Sequence, residues 1–360
     1  MSKIGAFLIH PRDRVDMEKY NWLAHLVPTP LLKWYCKHKK PGIVSHVRYK
    51  DMEIYLVGVF SFPTDLTRQD VLRGAKFAVE KLGAQVVGLG ALTACVTAGG
   101  KWLLDKLPSD AIVTNGNSLT AAMTVEGVQK AAALKGWNLN SNTTIAILGA
   151  TGSVGTGVSH LLIEDLAEPK LLLVGRSLRK LDALEHELKS KNPQACIETS
   201  ANIADVRKAG MIIVLTSGPD VLLEAKHLRH EAVVYDITQP SNISPEILKK
   251  RHDLLVIDGA LVTTPDIDWG FDLRLPEETS FACLAETIFL AENGEHKYTN
   301  YDFTSTVNVE TARAMARAAG KHGFTHAPLT SFRRLVLKEA MKEQIYLVKE
   351  KYLNKMSLLL

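Results

Sequence analysis

Six short runs rich in Val, Ile and Leu recur between residues 143 and 260, and segments with helical spacing separate most of them. Continuous apolar runs are typical of strands buried on both faces, because parallel strands need crossover helices that cover the sheet. The runs are residues 143–150, 170–176, 195–200, 210–217, 232–238 and 253–260. This alternation predicts an α/β fold with a doubly wound parallel sheet of the Rossmann type.

A shorter α/β series precedes these runs. It predicts strands at residues 53–60, 84–90 and 111–116 and helices at 66–82, 94–107 and about 118–135. Residues 1–50 give no decisive pattern, and no strand is predicted after residue 280. We therefore predict three parts: a smaller α/β domain for substrate and catalysis (1–140), a Rossmann domain (141–300), and C-terminal helices that pack back or extend (301–360).

Composition excludes several classes of protein. The 360 residues are 46% hydrophobic and 23% charged, as in ordinary globular proteins. A formal net charge of +4 is too small to indicate nucleic-acid binding. The four cysteines lack the paired spacing of a zinc site and fit a reducing compartment. No signal peptide or membrane-spanning window is evident, so we expect a cytoplasmic protein without a metal.

A glycine-rich turn directly after the strand at 143–150 is the clearest cofactor motif. Residues without a Cβ permit a tight turn there, and they let a pyrophosphate reach the N–H groups that open the next helix. The order strand, glycines, helix, strand favours a dinucleotide site over an ordinary turn. The predicted cofactor-binding residues are Gly149, Ala150, Thr151, Gly152, Ser153, Val154 and Gly155.

The end of the next predicted strand distinguishes NADPH from NADH. An NAD enzyme usually has Asp or Glu about twenty residues after the glycines, on the ribose 2′-hydroxyl. This chain has Arg176 and Ser177 there instead. A guanidinium presents a planar donor fork to a 2′-phosphate, and the serine adds a hydroxyl. We therefore predict NADPH, the alternative being a solvated arginine.

Cys283 is the candidate nucleophile. Thr279 or Ser280 is a plausible N-cap, so the cysteine would fall in the first turn of a helix, whose positive end favours the thiolate. A buried, unreactive thiol is the more common state of a free cysteine. Cys95, after a glycine-rich turn, is the second candidate.

The chain resembles the long-chain fatty acyl-[acyl-carrier-protein] reductases, which form fatty aldehydes. The resemblance covers about residues 50–326 and is carried by ILGATGSVG (147–155), DIDW (266–269), FACLAE (281–286) and KHGF (321–324). It implies that Cys283 holds the acyl group as a thioester during NADPH-dependent reduction of an acyl-carrier-protein or coenzyme A thioester. Leu119 departs from the family pattern, which has a histidine there.

Polar residues on predicted loops of the first domain are candidates for stabilising an oxyanion. They are Thr93, Asn115, Asn117 and Thr120. We select Asn117 and Thr93 as catalytic partners of Cys283, although residues 115–117 also read as a turn with an N-cap. The acid–base group stays open, and Glu286 is as readily structural as catalytic.

Two basic segments indicate partners. An acidic acyl carrier protein would fit a basic cluster near the N-terminal end of the chain, although a solvated charged face is the commoner explanation of such a cluster. The cluster consists of Lys33, Lys37, Lys39, Lys40, Arg48 and Lys50. Residues 332–360 have the spacing of a basic amphipathic helix. It would pack on the protein, contact another subunit in a homo-oligomer, or lie on a membrane surface.

Two other functions remain open from the sequence. A small α/β domain before a nucleotide domain also describes shikimate- and amino-acid-type dehydrogenases, which need no nucleophilic cysteine. A non-catalytic NADPH-binding protein would carry the same glycine motif.

Overall fold

The computed structural model describes residues 3–140, 142–216, 223–239, 241–298 and 302–336. Within these ranges the strands are β1 Lys3–Ile9, β2 Gly42–Tyr49, β3 Met52–Gly58, β4 Val86–Leu89, β5 Ile112–Thr114, β6 Thr144–Leu148, β7 Lys170–Val174, β8 Cys196–Ser200, β9 Met211–Val214, β10 Val233–Asp236, β11 Leu255–Asp258, β12 Leu261–Thr263, β13 Thr279–Phe281, β14 Thr325–His326, β15 Thr330–Ser331 and β16 Arg334–Leu335. The α-helices are α1 Arg14–Tyr20, α2 Thr29–His38, α3 Arg68–Lys76, α4 Leu92–Val96, α5 Asn117–Lys135, α6 Ser153–Asp165, α7 Leu178–Lys191, α8 Glu246–Lys250, α9 Ala282–Tyr298 and α10 Val309–Lys321.

The first sheet has the order β2-β3-β1-β4-β5. Strands β3, β1, β4 and β5 are parallel, and β2 pairs antiparallel with β3 at one edge. The central strand β1 comes from the part of the sequence that gave no decisive pattern. Its residues Ala6, Phe7 and Leu8 are buried, as a central strand covered on both faces requires.

The second sheet confirms the predicted fold class. Its order is β16-β15-β11-β10-β9-β6-β7-β8, and the six strands from β8 to β11 are parallel. Each of the six apolar runs in the sequence forms one of these strands. The strand order reverses between β6 and β9, which is where a doubly wound sheet opens a crevice for a nucleotide.

Two expectations about secondary structure are wrong. The predicted helix at 94–107 is interrupted: α4 ends at Val96 and a short 3-10 helix follows at Lys101–Leu103, because Ala98, Gly99 and Gly100 between them all adopt a positive φ. The prediction that no strand follows residue 280 fails as well: β13 extends past it, and β14, β15 and β16 each have two residues. Strands this short have no detectable alternation.

Helix α9 packs against the first sheet although it follows the last parallel strand of the second. A Cβ on Gly88 of β4 would lie 2.0 Å from Oγ1 of Thr287, and one on Gly5 of β1 would lie 3.1 Å from Cβ of Ala291. These glycines let the helix approach the sheet closely. Helix α9 thus lies beside the first sheet, and α5 packs between α9 and the second sheet, with α10 packed on α5.

The predicted bounds at residues 140 and 300 stay a prediction. Helix α10 packs back, whereas the predicted helix at 332–360 lies outside the described residues from 337 onward. Among the described helices, none combines the length and apolarity required to cross a bilayer.

Candidate active site

A cavity of about 400 Å³ connects the glycine turn with Cys283. Gly152, Ser153 and Val154 form one part of its lining, and Asn117 and Cys283 form another. The remaining lining is largely apolar and includes Phe7, Ile9, Met17, Tyr20, Val44, Phe60, Leu89, Phe271, Leu273 and Phe281. The structure therefore brings the predicted nucleophile and the predicted cofactor turn to one space.

Each glycine of the turn lies where a Cβ would come too close to neighbouring backbone. Gly149 has a φ of +94°, and a Cβ there would lie 2.8 Å from the carbonyl oxygen of Leu215. A Cβ on Gly155 would lie 2.3 Å from the carbonyl oxygen of Gly149. A Cβ on Gly152 would lie 3.2 Å from the carbonyl oxygen of Gly149, and as the N-cap of α6 this glycine gives no side-chain cap to the first N–H groups. A pyrophosphate fits this cradle at the positive end of the helix.

Arg176 and Ser177 follow β7, beside the strand that ends in the glycine turn. Ser177 is the N-cap of α7 but makes no side-chain cap bond. Arg176 is exposed, and its guanidinium has no hydrogen-bond or ion-pair partner within the described ranges. The residues present fit a phosphorylated ribose next to the turn.

Cys283 is the second residue of α9 and is partly exposed to the cavity. A Cβ on Gly116 would lie 2.2 Å from Cβ of Cys283 and 2.4 Å from its Cα. Gly116 also has a φ of +69°. The loop before α5 thus rests directly on Cys283, and only glycine permits this contact. Cys95 lines the same cavity and is exposed.

Burial of Cys283 opposes the thiolate that its place at the start of a helix predicts. Burial raises the pKa of its thiol to about 12, and the Glu286 carboxylate adds to the rise. The helix end contributes only a partial charge, which does not compensate for lost solvation. The thiol is therefore neutral until a base removes its proton.

Glu286 fastens α9 to α5. Its carboxylate is fully buried and accepts hydrogen bonds from the Thr114 hydroxyl at 2.6 Å and from the backbone N–H of Leu119 at 2.7 Å. The Thr114 hydroxyl oxygen in turn accepts from the N–H of Gly116 at 3.0 Å. The carboxylate thus caps α5 from another helix and fixes the loop on Cys283. The sequence spacing indicates Glu286 as a candidate residue but does not show this role.

The pKa of Glu286 predicts a pH dependence of stability. Burial raises it from 4.5 to about 7, against the hydrogen bonds, which lower it. Between these two values the unfolded chain releases a proton that the folded chain keeps. The free energy of unfolding therefore falls as pH rises from about 4.5 to 7, by roughly 3 kcal/mol.

Glu286→Gln should remove this slope, because a glutamine side chain does not titrate. Its amide can donate to the Thr114 hydroxyl while its oxygen still accepts from the N–H of Leu119, so the contacts between the helices are kept. Urea unfolding at pH 5 and pH 8 measures the difference. The exposed Glu80→Gln is the matched control and should keep the wild-type slope. An unchanged slope in Glu286→Gln would contradict the assignment.

The structure places the two selected oxyanion donors, Asn117 and Thr93, in different surroundings. Asn117 lines the cavity, and its Nδ2 donates to Oγ of Ser153 at 3.1 Å, which links α5 to the glycine turn. Thr93 is fully buried, its hydroxyl donates to the carbonyl of Gly90 at 2.7 Å, and it does not line the cavity. Threonine often bonds back to its own helix or turn in this way. Of the two, only Asn117 faces the space beside Cys283.

The start of α9 is fixed in position by a chain of buried hydrogen bonds. The sequence did not reveal this chain. The Tyr235 hydroxyl lies 2.9 Å from Nε2 of His326 and accepts from the N–H of Ala260 at 3.1 Å. The carbonyl of Ala260 accepts from the N–H of Ala282 at 3.0 Å. Ala260 has a φ of +53°, a conformation unusual for alanine. The second sheet thus sets the position of the residue just before Cys283.

Comparison with known proteins gives a distant relationship. No protein-family profile matches the chain. It is 28% identical over 295 residues to a long-chain acyl-[acyl-carrier-protein] reductase of Synechococcus elongatus, covering 79% of this chain and 83% of that protein. It is also 28% identical over 275 residues to aminotransferase PigE of a Serratia species, covering 73% of this chain but only 30% of PigE. Among solved structures, shikimate 5-dehydrogenase from Listeria monocytogenes aligns with a TM-score of 0.36 at 11% identity, covering 88% of this chain and 96% of that one.

Proposed function

We propose that the protein is an NADPH-dependent oxidoreductase that reduces long-chain fatty acyl thioesters to aldehydes through an acyl group on Cys283. One observation carries the proposal: a single cavity contains the glycine turn, a cysteine at the start of a helix and an extensive apolar lining. The distant similarity to an acyl-[acyl-carrier-protein] reductase supports the same chemistry.

The reaction divides into two steps at Cys283. The deprotonated sulfur attacks the thioester carbonyl, the carbon–sulfur bond to the carrier breaks, and the carrier leaves as a thiol after taking a proton. NADPH, held by the glycine turn and Arg176, would supply the hydride that reduces the acyl carbon in the second step. The carbon–sulfur bond to Cys283 then breaks and releases the aldehyde and the thiolate. Covalent capture thus replaces one difficult step by two easier ones.

We assign different roles in this reaction to the residues around Cys283. The amide of Asn117 is the donor we assign to the negative oxygen that forms in both steps. The phenyl rings of Phe7 and Phe60, with the other apolar side chains, would bury an acyl chain and exclude water. The elevated pKa of Glu286 makes it a candidate to hold the thiol proton.

Mass spectrometry of the intact protein tests the covalent step. We expect palmitoyl-coenzyme A, added without NADPH, to raise the mass by one acyl group, mapped to Cys283 and removed by NADPH. Cys95→Ala, altered in the same cavity, should acylate normally. A protein that binds NADPH but forms no adduct would favour the dehydrogenases without a nucleophilic cysteine or the non-catalytic protein.

Arg176→Ala tests the choice of cofactor. Loss of a charged hydrogen bond to the 2′-phosphate should raise the Michaelis constant for NADPH about tenfold or more. NADH lacks that phosphate, so its Michaelis constant should stay unchanged and serves as the internal control. Equal effects on both cofactors would contradict a role in phosphate recognition.

A further inference from the structure

Exposed apolar side chains concentrate on one segment of the described chain. Eight of the eleven large hydrophobic residues exposed there lie between residues 15 and 43. Trp22 is 68% exposed, Leu26 65% and Trp34 61%. We define the outer patch as Trp22, Leu23, Leu26, Leu31, Trp34 and Tyr35. A concentration of exposed apolar side chains of this kind normally marks an interaction site.

Helix α2 has two apolar faces, of which only one is covered. Leu32 and Cys36 point into the protein and are buried. Leu31, Trp34 and Tyr35 recur at helical spacing on the other side and are exposed. A surface helix that only packs on its own core needs one apolar face. The second face therefore requires a partner.

Charge around the patch defines the chemistry of that partner. Residues 21–50 contain no Asp or Glu but six basic side chains. Lys37 and Lys40 are exposed. Lys39 instead packs inward, with its Nζ 4.7 Å from the centre of the Phe60 ring. The segment thus combines outward tryptophans and leucines with positive charge.

We propose that the outer patch docks on the surface of an anionic lipid bilayer. Tryptophan and tyrosine rings partition into the interfacial region, leucines enter the acyl boundary, and lysines attract acidic headgroups. An acidic carrier protein would satisfy the lysines, but it would leave unexplained two tryptophans and three leucines that face outward. A bilayer matches both halves of the surface.

The same segment covers the apolar part of the cavity. Met17 and Tyr20 of α1 line it from the inner side, together with Phe60, while the outer patch begins two residues after Tyr20. Docking would therefore bring the apolar part of the cavity next to hydrocarbon. This inference concerns a surface and does not depend on chemistry at Cys283.

Sedimentation of the full-length protein with lipid vesicles tests the proposal. We expect binding to equimolar phosphatidylglycerol and phosphatidylcholine, and much weaker binding to phosphatidylcholine alone. Trp22→Ser with Trp34→Ser should weaken binding about tenfold or more. Lys37→Ala with Lys40→Ala should weaken it about 25-fold at low salt, taking about fivefold for each charge. Leu104→Ser and Lys250→Ala, exposed elsewhere, should leave it unchanged.

Three results would overturn the proposal. The first is wild-type protein that ignores anionic vesicles. The second is a tryptophan double variant that binds vesicles normally, whether or not it loses turnover with carrier-bound substrate, since that would assign the surface to a carrier protein or to nothing. The third is loss of a dimer in that variant with unchanged vesicle binding, which would assign the patch to a second copy. Circular dichroism of the variants should match the wild type.

Discussion

Replacing Cys283 with alanine is expected to lower aldehyde formation at least about 10⁴-fold, because the proposed reaction passes through an acyl group on that sulfur. NADPH binding should be unaffected, since the glycine turn belongs to a different helix. Cofactor oxidation and NADPH titration measure the two quantities separately. Cys95→Ala is the control, because it removes the other thiol of the cavity and should keep most of the activity.

The pH dependence of acylation adds a second measurement on the same residue. Burial raises the pKa of Cys283 to about 12, so the thiolate is a minor species at neutral pH. We expect the rate of single-turnover acylation to rise about tenfold per pH unit between pH 7 and 9. A plateau that disappears in Glu286→Gln would instead identify that carboxylate as the base. Activity of Cys283→Ala above a tenth of wild type would contradict nucleophilic catalysis altogether.

Gly116→Ala is expected to destabilise the protein and block acylation together. The new methyl group would lie 2.4 Å from Cα of Cys283, where backbone must move to relieve the clash, and alanine is strained at a φ of +69°. Overpacking and backbone strain together should lower the free energy of unfolding by about 4 kcal/mol. Chemical denaturation measures this loss.

Gly136→Ala separates the two causes. Gly136 ends α5 with nearly the same φ, +67°, but a Cβ there would meet nothing within 4 Å. It should lose only the cost of the left-handed conformation, about 1–2 kcal/mol, and should acylate normally. If both variants were equally stable and equally reactive, the contact between Gly116 and Cys283 would have no functional meaning.

The second sheet was predictable because its strands carry their own signal. Long runs such as those ending at Leu148 and Val174 are buried on both faces, so their composition alone separates them from helices. Strand β1 has a similar run, but no regular alternation of strands and helices surrounds it within residues 1–50. Two-residue strands such as β15 depend on pairing with distant residues, and no local pattern specifies them.

The candidate site could be predicted only where the residue type and its position between a strand and a helix both indicate a function. Gly152 and Cys283 each follow a strand and open a helix, so sequence placed them correctly in their elements. Residue type alone does not show that the Thr93 hydroxyl is already bonded within its own turn. Tyr235 and His326 meet across 91 residues of chain, and only the folded backbone brings them together.

The bond from Glu286 to Leu119 has a consequence for how substrate reaches the sulfur. A carboxylate buried between two helices cannot be exposed without losing both of its partners, so α5 and α9 should move as one piece. The loop at Gly116, which leads into α5, should then stay against Cys283 when the two sheets move apart. We therefore expect a long acyl chain to enter beside α1, whose Met17 and Tyr20 line the apolar part of the cavity, without displacing that loop.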